Sequence, residues 1–161
     1  MSTPTSQSTQ LRQSLGRQHG TDALVLVLVA AGAATIVAAA VVHLYLWGKE
    51  DGYRAVPTVG PLFLVQGIAG LLLGPLMLAF RRVVTDAAGA AYTAMSLGAL
   101  FLSINGGLFG FDETLNAPWV KFSLVDEIIG LVACLAAAVI ALGSGSNKPF
   151  PAPEIGRTGP M

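Results

Sequence analysis

Hydrophobic and polar positions along this chain segregate into four long apolar blocks separated by short polar breaks. The first covers residues 23–47, the second 59–80, the third 87–111 and the fourth 123–142, with Asp126 and Glu127 near the start of the fourth. At about 1.5 Å of rise per residue, each is long enough to cross a hydrocarbon layer of about 30 Å. The pattern predicts an all-α, polytopic membrane protein: a four-transmembrane-helix bundle over residues 23–142. A cleaved signal peptide is the alternative for the first block, with Arg12 and Arg17 as its basic region. A signal core spans only about 7–15 residues, so the block is read as an uncleaved span.

The flanks differ in kind. Residues 1–22 are rich in Ser, Thr and Gln with no acid before Asp22, and residues 143–161 are rich in Pro and Gly. Neither has an apolar period from which to build a core, so both are expected to be disordered cytoplasmic tails. The Arg-bearing, acid-free start also fits an organellar transit peptide, but a short tail is the simpler expectation.

Composition narrows the function classes. Charged residues are 11% of the 161, against about 25% in ordinary soluble domains, and apolar residues are 53%. Nine basic and nine acidic residues balance, which argues against a nucleic-acid binder. A single cysteine excludes a disulfide framework or a paired-thiol site within the chain.

The balance is not uniform along the chain. The N-terminal tail, second loop and C-terminal tail hold Arg12, Arg17, Arg81, Arg82, Lys148 and Arg157, while the other two loops hold Lys49, Arg54 and Lys121. Basic residues mark the cytoplasmic side, so both termini are expected there. Six acids, Glu50, Asp51, Asp112, Glu113, Asp126 and Glu127, lie on the opposite side. Tyr45, Trp47, Tyr53 and Trp119 crowd that boundary, at the headgroup depth such rings prefer.

Lipid gives helices no hydrophobic reason to associate, so small residues must let them approach closely. Gly70 and Gly74 in the second span and Gly106 and Gly110 in the third form GxxxG pairs, expected to be helix-packing positions. Ala30, Ala34 and Ala38, and Ala133, Ala137 and Ala141, give the first and fourth spans similar smooth stripes. Pro75 is expected to kink the second span, leaving the Leu71 carbonyl unbonded.

Each span also carries a strong hydrogen-bonding side chain in its outer half: His43, Gln66, Asn105, and Asp126 or Glu127. Such groups are costly in lipid and often mark function. Two readings follow. The side chains line an outward-opening polar pocket, in which a histidine beside a carboxylate relays protons or holds a quinone-like head. Alternatively they only join helices, at about 0.6 kcal/mol each. The run Ser123-Leu-Val-Asp126 matches a capping-box spacing, which assigns Asp126 to helix capping and leaves Glu127 as the pocket candidate. Pro118, before Trp119, offers an earlier start to the same helix.

Familiar catalytic and cofactor patterns are missing. The second histidine, His19, lies in the tail, so a bis-histidine haem is not expected; nor is zinc, for want of further ligands at suitable spacing. No P-loop, GxSxG or HExxH motif occurs. Cys134 is expected to be a buried, inert thiol. No catalytic residue, metal or cofactor is expected.

The most distinctive run is His43-Leu-Tyr-Leu-Trp47, Gly52-Tyr53-Arg54 and Pro57-x-x-Gly60-Pro61-Leu-Phe63. Over about residues 43–66 it resembles a helix–loop–helix segment of small, uncharacterised four-span bacterial membrane proteins. The resemblance implies a bacterial plasma membrane and no particular activity. The expected function is a non-enzymatic accessory or assembly subunit of a larger membrane complex, with lipid and other membrane subunits or a second copy as partners. The alternative is a small quinone-binding, redox or transport protein using the outer polar pocket.

Overall fold

In hydrocarbon every backbone N–H and C=O must find its partner within its own segment, which makes a long apolar block a helix. The computed structural model describes residues 4–144, with side chains from residue 20 onward. It contains α1 (Pro4–Gly48), a 3-10 turn (Tyr53–Ala55), α2 (Val59–Phe80), α3 (Val83–Gly106) and α4 (Val120–Gly143). Gly20–Gly48 and all of α2, α3 and α4 are long and apolar enough to cross a membrane.

Three boundaries depart from the expected ones. The first helix starts at Pro4, within the expected tail, while all but Gly143 and Ser144 of the C-terminal tail lies outside the described residues. Secondly, α3 spans Val83–Gly106 rather than 87–111. Its apolar C-terminal continuation folds back on itself: Leu108 and Phe111 exchange backbone hydrogen bonds of 2.8 and 2.9 Å around Phe109 and Gly110, both at positive φ. Thirdly, α4 begins at Val120, near the earlier start offered by Pro118. Ser123 then donates its backbone N–H to Trp119 O instead of capping the helix, so the capping role expected for Asp126 is not found.

The helix order in space follows from small residues. α1 is the central element, packed along α2 on one side and α4 on the other, with α3 against α4 and only sparse contact between α2 and α3. At the α1–α2 seam, a Cβ on Gly67 would stand 2.5 Å from Leu44 Cγ, and one on Gly74 2.5 Å from Val37 Cγ2. A Cβ on Gly70 would collide with the Tyr92 hydroxyl and lie 2.8 Å from Ala40 Cβ. On the other side of α1, Gly32 receives Cys134, and Gly130 of α4 receives Thr35. Ala33, Ile36, Met77, Cys134 and Ala137 fill the centre, while Leu72, Val132 and Val139 face outward. An apolar exterior around a close-packed interior is what a lipid-facing bundle requires.

Within the bundle the Gly106–Gly110 pair is not a helix-packing motif. Gly106 is the last residue of α3 with open space around it, and Gly110 belongs to the following turn at φ +78°. The connection from α2 to α3 is only Arg81 and Arg82, with Arg81 in the left-handed region at φ 44°. α2 runs through Pro75 as one helix.

Candidate functional site

The sparse contact between α2 and α3 leaves a pocket of about 360 Å³ beside the ends of the helices that meet loops 49–58 and 107–119. This falls in the range of small-molecule sites, about 300–1,000 Å³. His43 of α1, Gln66 of α2, Ser96 and Ser103 of α3, and Ser123 and Glu127 of α4 all line it, so each long helix contributes at least one polar side chain. The rest of the wall is mostly aliphatic and aromatic.

Glu127 is the most confined of these groups, at 1% exposure. Its Oε1 accepts a 2.5 Å hydrogen bond from the Ser96 hydroxyl, whereas Oε2 has no partner. The meeting depends on the revised helix ends. Counted from Gly106, Ser96 lies about 15 Å down α3, and counted from Val120, Glu127 lies about 10 Å down α4. With the boundaries expected from the sequence, the two would have differed in depth by roughly 16 Å and could not have met.

His43 Nδ1 lies 2.7 Å from Ala39 O, an acceptor, so Nδ1 carries the hydrogen. In the neutral ring this leaves Nε2 as an acceptor. Gln66 and Tyr92 join α2 to α3 twice: the Tyr92 hydroxyl donates to Gln66 O at 3.0 Å, and Gln66 Nε2 donates to Tyr92 O at 3.5 Å. Gly70 leaves the space in which the Tyr92 hydroxyl sits.

The loops close one end of the pocket. The Tyr53 hydroxyl donates to Glu113 Oε2 at 2.6 Å, linking the first and third loops, and both residues line the pocket. Burial, followed by the neighbouring Glu113 carboxylate, pushes the Tyr53 pKa well above the ordinary tyrosine value, so the phenol remains a donor. Rings brace this latch: Tyr53 stacks on Phe63 at 4.5 Å, Phe63 lies 4.8 Å from His43, and Phe111 meets Tyr53 edge-on at 5.2 Å. Tyr53→Phe removes one hydrogen bond and is expected to lower stability by about 1 kcal/mol. With Trp47 changed to Phe so that Trp119, a lining residue already 45% exposed, reports alone, Tyr53→Phe should also raise acrylamide quenching further; unchanged quenching would show that the latch does not close the pocket.

The five expected site residues therefore separate. His43, Gln66 and Glu127 share the pocket. Asn105 does not line it: it is exposed, and its Nδ2 donates to Phe101 O in the preceding turn at 2.8 Å. Asp126 is half-buried beside the pocket wall rather than in it, with Oδ2 unpartnered. Ser96, Tyr53, Phe63, Glu113 and Trp119 were not expected at the site. Ser96 had one available signal: it shares an inward face of α3 with Asp86, Thr93 and Ser103, all buried. The others had none: Tyr53, Phe63 and Trp119 read equally well as aromatic anchors at a membrane boundary, and Glu113 as one of the acids of the outer loops.

Among the described residues no group of three or more His, Cys, Asp or Glu side chains is placed to hold a metal. Cys134 is fully buried between Gly32 and Gly89, away from the pocket. No family model matches this chain, and neither a curated protein nor a solved structure matches it.

Proposed function

We propose that this chain is a multi-pass protein of a bacterial plasma membrane, with both termini cytoplasmic, whose outer-half pocket binds a small molecule with an apolar body and a polar head. The asymmetry of basic residues supports the orientation. One observation carries the binding function: a pocket with largely apolar walls holds a buried carboxyl group with one oxygen bonded and the other free. Asp86 and Asp126 also leave a buried carboxyl oxygen unbonded, at a cost of about 1–3 kcal/mol each, but neither lines the pocket, whereas the free oxygen of Glu127 belongs to a residue of its wall.

The experiment uses the full chain in lipid nanodiscs, with Trp47 changed to Phe so that Trp119 is the single reporter. Brominated amphiphiles with cationic, neutral and anionic heads are titrated in turn. Saturable quenching by at least one is expected; quenching that only follows partition into lipid, for all three, would contradict the proposal.

A second reading, an accessory subunit of a larger membrane assembly, has its own support. Ala87, Ala91, Ala94 and Gly98 form an exposed smooth stripe on α3, continued by exposed Asn105. Co-purification of a stoichiometric partner that is lost in Gly98→Leu would favour it; a lone monomer in mild detergent would count against it.

A further inference from the structure

We infer that the pocket's ligand is a lipophilic organic cation, an amine or onium head on an aromatic or alkyl body, which arrives from the bilayer between α2 and α3 and is held by Glu127. The inference rests on the pocket being a small-molecule site and adds its ligand class and route. Charge comes first. The formally charged side chains lining the pocket are Glu113 and Glu127, and no Lys or Arg lines it. The one other titratable nitrogen, on His43, has its Nδ1–H engaged by Ala39 O, and the neutral ring offers an acceptor to the pocket. At 1% exposure and with no counter-charge in the pocket wall, the Glu127 carboxyl group is costly to ionise alone, and a cation entering the pocket is what lets it hold a negative charge there. An anionic head would add repulsion; a cation supplies the missing partner at Glu127 Oε2.

The walls favour the same class. Tyr53, Phe63, Phe111 and Trp119 line the pocket, and aromatic faces attract cations, most strongly where water is excluded. No cationic hydrogen-bond donor faces an anion there: the Tyr53, Ser96 and Ser103 hydroxyls are committed to Glu113, Glu127 and Phe111 O, and the other lining donors, on Gln66, Ser123 and Trp119, are uncharged.

Access is lateral. Leu62 and Val65 of α2 and Met95 of α3 line the pocket while remaining 46%, 62% and 66% exposed on the bundle surface that lipid would cover. The loop end is crossed by the Tyr53–Glu113 bond. An amphiphilic cation resting in the outer leaflet thus meets an apolar doorway, with the acid behind it.

The test measures equilibrium binding of radiolabelled tetraphenylphosphonium to the full chain in nanodiscs of uncharged lipid. Triphenylphosphine oxide, with a similar body and no charge, is measured in parallel. Saturable binding of the cation is expected, about 10-fold or more tighter than the oxide, a difference of about 1.4 kcal/mol. In Glu127→Gln the cation should weaken by about 10-fold while the oxide is unaffected. Equal binding of cation and oxide, or full cation affinity in Glu127→Gln, overturns the cation inference and leaves the pocket proposal standing. Saturable binding of neither overturns the cation inference, and the amphiphile titration with Trp119 then decides the pocket proposal on its own. The comparison of cation with oxide on the unaltered chain decides the matter even if Glu127→Gln does not fold.

Discussion

Gly70→Val is expected to cause a severe loss of stability. The new side chain would meet the Tyr92 hydroxyl on one side and Ala40 Cβ on the other, so neither α1 nor α3 offers it room. Overpacking of this kind costs about 1–3 kcal/mol, and displacing Tyr92 forfeits its bond to Gln66 O, worth about 1 kcal/mol more. The α2–α3 junction is lost with it, and with that junction the shape of the pocket. Thermal unfolding in mild detergent, followed by size-exclusion profile, should show a marked drop in midpoint and increased aggregation. Gly98→Val is the control, because a Cβ there meets nothing within 4 Å. Equal effects of the two substitutions would refute the close-packed seam.

Glu127→Leu should have the opposite effect on stability. The native carboxyl group has one satisfied oxygen and one orphan, and burying such a group costs more than its single bond returns. Leucine has similar volume and nothing to satisfy, and the freed Ser96 hydroxyl can turn to the carbonyl of Tyr92 one turn back. A gain of about 1–3 kcal/mol is expected, together with loss of ligand binding. Stability gained as binding is lost is the mark of a residue kept for function. A pronounced loss of stability would instead identify Glu127 as an adhesive between α3 and α4.

The sequence is legible where chemistry is repetitive and obscure where one turn decides. Four apolar blocks give four helices because lipid permits little else, and Gly70 and Gly74 sit at a seam, joined there by Gly67, because only small residues allow contact. The end of α3 is misread since Leu108, Phe109 and Phe111 continue the apolar run, while a two-residue turn at Phe109 and Gly110 reverses the chain. That error moves Ser96 deeper than it is and hides its bond to Glu127. Asn105 looks like a partner by depth, yet lies on the outward side of α3, and depth alone carries no angular information. Tyr53 and Glu113 are separated by 60 residues, so their bond exists only in the folded arrangement of two loops.

The most direct test of the central claim, that Glu127 is the polar contact of a bound small molecule, is an infrared difference spectrum of the nanodisc-embedded protein with and without tetraphenylphosphonium. If Glu127 makes that contact, a side-chain carboxyl band changes in the unaltered chain and in Glu113→Gln, and the change vanishes in Glu127→Gln. The same band change persisting in Glu127→Gln would contradict the claim.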